Sequence, residues 1–213
     1  MIPWTIKYAP NSTAGIIGQD AQMAFLKNFV SDFRKQKKRA VLVYGPSGSG
    51  KTCAAYALAK EFDCEVLEVN ASDFRDEEKL NASVVQASKQ RSLFGKSKLL
   101  LVDEVEGIFG TLDRGAVPVL VKLAKETAFP KIFTANDPWD KKFSPLRAVC
   151  ELIEFKRPDH QITLAVLRQI CSLEILRYEE KALATLARRS GGDIRGAIID
   201  LQTLTDDGKF TSE

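Results

Sequence analysis

The chain has 213 residues, 45% hydrophobic and 28% charged, with a formal net charge of +3. That is enough apolar sequence to bury a core, and it is too apolar and too evenly charged for a disordered chain. Thirteen Gly and eight Pro exclude collagen-like and low-complexity classes. Apolar runs such as Leu99-Leu100-Leu101-Val102 are far shorter than a spanning helix, so no membrane span is expected. The N-terminus lacks a signal-peptide core. Cys53, Cys64, Cys150 and Cys171 are scattered and form no Cys-x-x-Cys pair, which reads as reduced, mostly buried thiols in a cytosolic compartment. His160 is the single histidine, excluding a His-rich metal site.

In chain order the pattern alternates between helix and strand. Residues 20–33 place Met23, Leu26, Phe29, Val30 and Phe33 on one helical stripe. A basic connector, Lys35-Gln36-Lys37-Lys38-Arg39, leads into a short apolar strand over residues 40–44. Helices are predicted over 51–62, 77–90 and 117–127. Strands are predicted over 65–69, 99–102, 131–135 and 151–155. Strands separated by helices imply a parallel sheet covered on both faces. After Pro158 no strand-like run remains, and residues 159–176, 179–190 and 193–205 show helical periodicity. The residue before a proline is pushed out of helix, so the expected division is an α/β domain over 1–157 and a three-helix appendage over 158–213. Residues 1–157 carry 24 Lys and Arg against 19 Asp and Glu, and residues 158–213 carry 7 against 9. A basic front with an acidic tail fits nucleic-acid contact on one face.

The strongest motif is Gly45-Pro46-Ser47-Gly48-Ser49-Gly50-Lys51-Thr52, a G-x-x-x-x-G-K-[ST] phosphate loop between a predicted strand and a predicted helix. Its glycines let backbone N–H groups turn toward phosphate oxygens, and the following helix aims its positive end at the same anion. Lys51 is expected to reach the β- and γ-phosphates and Thr52 to bind Mg²⁺. Asp103 and Glu104 end a buried strand about fifty residues later. Asp103 suits Mg²⁺ and Glu104 suits the attacking water, which argues for hydrolysis and not mere storage of nucleotide. Asn136, at the end of the 131–135 strand, can reach the γ-phosphate or that water, or serve as a turn residue before Asp137-Pro138. Asp193 can cap the last helix, placing Arg195 in its first turn, where it can sense phosphate from a lid or stand solvated.

With these residues in place the chain resembles the AAA+ ATPases, and within them the clamp-loader subunits of the replication factor C family. The AAA+ marks are the phosphate loop, Asp103-Glu104, the sensor-like Asn136 and the sensor-like Arg195. Narrower marks are Pro3-Trp4-Thr5-Ile6-Lys7-Tyr8-Ala9-Pro10, which resembles the family's W-x-x-K-Y-x-P segment, and Ile16-Ile17-Gly18-Gln19, which resembles its G-Q box. Val69-Asn70-Ala71-Ser72-Asp73 and Gly191-Gly192-Asp193-Ile194-Arg195 resemble two further segments. Small subunits carry a Ser-Arg-Cys finger, and this chain has Ala148-Val149-Cys150, so the finger is absent. Arg147 stands two residues earlier, on a strand or extended approach. Ser92-Leu93-Phe94-Gly95-Lys96 and Asp103-Glu104-Val105-Glu106-Gly107 look like archaeal large subunits.

The resemblance implies an ATPase with ATP and Mg²⁺ as ligands. It implies a place in an arc of five ATPases with small subunits, opening a sliding clamp and gripping primer–template DNA, in the nucleoid-associated cytoplasm of a prokaryotic cell. It also implies an adenine pocket near Pro3, Tyr8, Ile16 and Ile17 with Ile194 or Ile198, although these residues can equally pack a domain seam. Backbone contacts to DNA are expected among Arg75, Lys79, Lys89, Arg91 and Arg114, and such contacts are sequence-blind and salt-sensitive. The family's helical collar domain is missing, as expected of either a piece of a longer protein or an unusually short one. The alternatives are a branch-migration or fork-remodelling motor of the same fold, and an ATP-bound scaffold that does not hydrolyse.

Overall fold

The structure is a computed structural model describing residues 2–70, 97–108, 116–126, 128–205 and 209–210. A short N-terminal helix, α1 (Trp4–Lys7), is followed by α2 (Asp20–Ser31), β1 (Ala40–Tyr44), α3 (Lys51–Glu61) and β2 (Cys64–Asn70). The chain continues through β3 (Ser97–Asp103), α4 (Ala116–Lys125), β4 (Lys131–Ala135), α5 (Ser144–Val149) and β5 (Glu151–Glu154). It ends in α6 (His160–Leu173), α7 (Glu180–Arg189) and α8 (Ile194–Leu204), with two-residue strands β6 (Arg177–Tyr178) and β7 (Lys209–Phe210). The expected helix over 77–90 lies outside the described residues. Among the described residues, no helix is long and apolar enough to cross a membrane.

The five long strands form one sheet in the order β2-β3-β4-β1-β5, and every pairing is parallel. Alternate residues of each strand feed opposite cores, as a period of two requires. Ala40, Leu42, Leu100, Val102 and Phe133 point to one face, where α4 and α5 supply Leu120, Leu123 and Leu146. Val41, Val43, Leu99, Leu101 and Ile132 point to the other, where α2 and α3 supply Leu26, Phe29, Ala55 and Leu58. The central strands are buried on both faces, which is why their sequences read as unbroken apolar runs.

The helices begin where local chemistry favours it. Pro145 stands in the first turn of α5, where a missing N–H costs nothing. The Asp159 side chain accepts from the Ile162 N–H at 2.8 Å to cap α6.

Helices α6, α7 and α8 share a third core, built on Leu167, Ile170, Leu183, Leu186 and Leu201. Trp4 of α1 is buried in it, and its backbone N–H donates to Gln202 Oε1 at 2.8 Å. The expectation of a strand-free tail is corrected by β6 and β7, which pair in parallel and bring Phe210 into this core. Two-residue bridges are too short to show period-two patterning, so no sequence signal marked them.

Arg147 also differs from expectation. It lies on α5, not on an extended approach. Its guanidinium donates to the Pro138 carbonyl and, at 2.9 Å, to the Asp140 carbonyl, and it stands over the Trp139 ring at 5.4 Å. Val149, in the finger position, closes α5 and packs against the first core.

Candidate nucleotide-binding site

Parallel strands place their carboxyl ends on one edge of the sheet, where ligands bind in this class of fold. The neighbours β3, β4 and β1 end there with Asp103, Ala135 and Tyr44. The phosphate loop leaves β1 at Gly45 and enters α3 at Lys51. Gly45, Gly48 and Gly50 adopt φ of 146°, 72° and 96°, which a side chain resists. At Gly45 a Cβ would also stand 2.1 Å from the Phe155 carbonyl oxygen. Among the described residues no side chain caps α3, so its first N–H groups face the loop without a protein acceptor from a cap.

Lys51 is buried, yet charged by role. Its Nζ donates to the Gly45 carbonyl at 2.8 Å, the Pro46 carbonyl at 2.9 Å and Asn136 Oδ1 at 3.0 Å. These bonds use all three ammonium protons. Burial lowers the Lys51 pKa, and the carboxylates of Glu106 and then Asp103 pull it back up. A desolvated ammonium with carbonyls and an amide as partners, and no carboxylate among the described residues in direct contact, gains strongly from an arriving anion.

Asp103 collects hydroxyls. Thr52 Oγ1 donates to its carboxylate at 3.0 and 3.1 Å, and Thr134 Oγ1 donates to Oδ1. The Thr52–Asp103 pair is a hard-oxygen donor set of the kind Mg²⁺ shares with substrate phosphates and water, so the residues present fit that ion. Glu104 is held at φ 52° and its N–H donates to Thr134 Oγ1 at 3.0 Å, while its side chain stays exposed at the cleft. Asn136 follows the last residue of β4, and its backbone N–H donates to Glu106 Oε1 at 2.7 Å. Cys53 also lines the cleft, and burial pushes its thiol up, so it is not an activated nucleophile.

These groups surround one cleft of about 400 Å³, within the range of small-ligand sites. Ser47, Gly48, Ser49, Gly50, Lys51, Thr52, Asp103, Glu104, Asn136 and Arg195 are among its lining residues, as are the more apolar Tyr8, Ile16, Ile17, Ile194 and Ile198. Pro3 is not among the lining residues. Its carbonyl instead accepts from the Ile6 and Lys7 N–H groups at the start of α1. Arg75, Lys79, Lys89, Arg91 and Arg114 lie outside the described residues.

Sequence reasoning missed two residues here. Thr134, fully buried, joins Asp103 to the Glu104 backbone; a hydroxyl inside the apolar run of β4 was the available signal. Glu106 touches Asn136, and its signal was a third acid within four residues of Asp103.

Residues 41–155 match the ATPase family associated with various cellular activities (AAA). The chain is 44% identical over 207 residues to the replication factor C large subunit of Staphylothermus marinus, covering 96% of this chain and 49% of that protein. It is 44% identical over 208 residues to the protein of the same name from Nanoarchaeum equitans, covering 97% and 48%. For that of Thermofilum pendens the identity is 42% over 209 residues, covering 96% and 50%. The chain thus spans about half the length of these relatives.

Proposed function

Since the chain belongs to the AAA family of ATPases, we propose that it binds ATP with Mg²⁺ in this cleft and hydrolyses it as the ATPase part of a sliding-clamp loader. The observation that carries the reading is the junction at Lys51: its ammonium meets Asn136 Oδ1 beside the Thr52–Asp103 pair, in a cleft that also holds Glu104 and Arg195. Lys51 exchanges its bonds to the loop carbonyls for phosphate oxygens, and the loop N–H groups surround the same anion. Thr52 and Asp103 hold Mg²⁺, which neutralises charge on the β- and γ-phosphates when bound. Glu104 orients and polarises the attacking water, Asn136 positions the water or the γ-phosphate, and Arg195 reaches the phosphates from α8.

In this reading residues 158–213 form a lid, which moves against residues 1–157 as nucleotide changes, with Arg195 as the link. Tyr8, Ile16, Ile17, Ile194 and Ile198 receive the adenine. The relatives' shared name, replication factor C large subunit, supports a hetero-oligomeric loader with small subunits, a sliding clamp and primer–template DNA as partners. The likeness extends over nearly all of this chain, which favours it over another AAA motor.

The test is nucleotide binding and single-turnover hydrolysis with Mg²⁺. Lys51→Ala is expected to weaken ATP binding, whereas Glu104→Gln keeps binding and stops turnover. Equal hydrolysis in wild type and Glu104→Gln would overturn the role of Glu104. Co-elution with finger-bearing small subunits tests the loader assignment separately.

A further inference from the structure

The pairing of β1 with β4 ends at Tyr44–Ala135, and one further bond, from the Gly45 N–H to the Ala135 carbonyl at 3.2 Å, closes it. Asn136 is the next residue, and its N–H has no place in the sheet. A backbone donor at the rim of a cleft needs an acceptor, or its position is set by solvent. Glu106 supplies one: Oε1 accepts the Asn136 N–H at 2.7 Å. Glu106 comes from a different strand's exit, the 3₁₀ turn Val105–Ile108 after β3. The bond therefore ties the segment that leaves β3 just after Asp103 and Glu104 to Asn136, which leaves β4. Glu106 Oε2 is buried and has no hydrogen-bond partner among the described residues, although the side chain lines the cleft. An unpartnered buried carboxylate oxygen is costly, so its retention here calls for a task beyond packing.

We propose that Glu106 is a positioning residue for Asn136, fixing its backbone and thereby the place of its amide against Lys51 and the terminal phosphate of ATP. This rests on the ATPase reading above. A carboxylate accepts and does not donate, so Glu106 repels phosphate and its useful contacts are N–H and O–H groups. It acts through Asn136 and makes no contact with nucleotide. Its effect is on the chemical step, because Lys51 and the phosphate loop carry ground-state affinity without Asn136. When Lys51 turns to phosphate, Asn136 Oδ1 loses its partner, and the bond to Glu106 keeps that residue in place.

The experiment compares Glu106→Ala, Glu106→Gln, Asn136→Ala and the double variant Glu106→Ala/Asn136→Ala in the full chain. Single-turnover hydrolysis, ADP affinity and hydrogen exchange of the Asn136 amide by NMR are measured on each. Glu106→Ala is expected to lower turnover about 10- to 100-fold, the scale of losing a near-attack geometry, with ADP affinity unchanged within about twofold. Its Asn136 amide loses protection. Glu106→Gln, which keeps an acceptor, restores protection and most of the turnover. In the Asn136→Ala background, Glu106→Ala costs nothing further. Wild-type turnover in Glu106→Ala, a parallel loss of ADP affinity, or additive losses in the double variant would each overturn the proposal. Glu104→Gln is the control for the underlying reading. If wild-type turnover does not depend on Glu104 the ATPase reading fails, and Asn136 amide protection still decides whether Glu106 positions that residue.

Discussion

Gly48 of the phosphate loop and Asp193, the residue that caps α8, touch: a Cβ on Gly48 would stand 1.9 Å from Asp193 Oδ1. The same carboxylate accepts from the Gly196 N–H at 2.9 Å and so caps the helix that carries Arg195. Gly48 also needs its φ of 72°, so two separate constraints demand glycine there. Gly48→Ala is expected to strain the loop, push α8 away and weaken nucleotide binding, as read by ATP titration. Asp193→Ala is expected to cost about 1 kcal/mol from the lost cap, a fall of about 2–4 °C in Tm. Asp193→Asn retains the cap and is expected to keep the wild-type Tm in calorimetry.

Arg147 holds a turn together. Its bonds to the Pro138 and Asp140 carbonyls and its stacking on Trp139, which itself meets Tyr44 edge-on at 5.7 Å, fix the segment between β4 and α5. Charged hydrogen bonds of this kind are worth about 1.5–3 kcal/mol together with their neighbours. Arg147→Ala is expected to lower the urea midpoint accordingly and leave ATP affinity intact. In an assembly where only the facing subunit can hydrolyse, it is expected to leave that rate unchanged. A large rate loss there would identify Arg147 as a displaced finger.

Ile175 ends α6 in a conformation that suits glycine. Its N–H donates to the Ser172 carbonyl, and the Leu176 N–H donates to the Cys171 carbonyl, the two bonds of a Schellman cap. The cap requires a left-handed residue, and Ile175 sits at φ 55° with its side chain in solvent. A β-branched residue there costs about 1–2 kcal/mol. Ile175→Gly is expected to raise stability by about 1 kcal/mol, measured as a higher urea midpoint with unchanged slope.

Glu61 gives the fold an acid-sensitive tie. Its carboxylate accepts from the Thr13 N–H at 3.0 Å and pairs with Lys27 at 2.6 Å, joining the end of α3 to α2 and the N-terminal segment. The Lys27 hydrogen bond, followed by those from Thr13, lowers its pKa to about 2 from an ordinary 4.5. A carboxylate whose pKa is depressed on folding adds stability above pH 4.5 and loses it as pH falls from there toward 2. The stability gap between wild type and Glu61→Gln is therefore expected to be constant above about pH 5 and to close progressively below it. Chemical denaturation at a series of pH values measures this directly. A gap of equal size at pH 7 and pH 2.5 would contradict it.

Local chemistry alone determined much of this molecule. Strands β1 and β4 were read at their full lengths because an apolar run bounded by Gly45-Pro46 or by Asn136-Asp137-Pro138 has few other ways to bury itself. The phosphate loop was readable because its glycines and Lys51-Thr52 are contiguous, and backbone freedom and helix polarity act within a few residues. Tertiary structure decided what lies between distant segments. Trp4 lies in the core of α6–α8 because Gln202 and the apolar faces of those helices receive it, and no local pattern records that choice. Arg147 became a turn clamp once α5 formed and carried it to Pro138 and Asp140. The meeting of Glu106 with Asn136 followed from the order of the strands, since β3 and β4 had to become neighbours before a carboxylate leaving one could reach an N–H leaving the other. Periodicity is a property of consecutive residues, whereas such contacts arise only when separate faces are buried against each other.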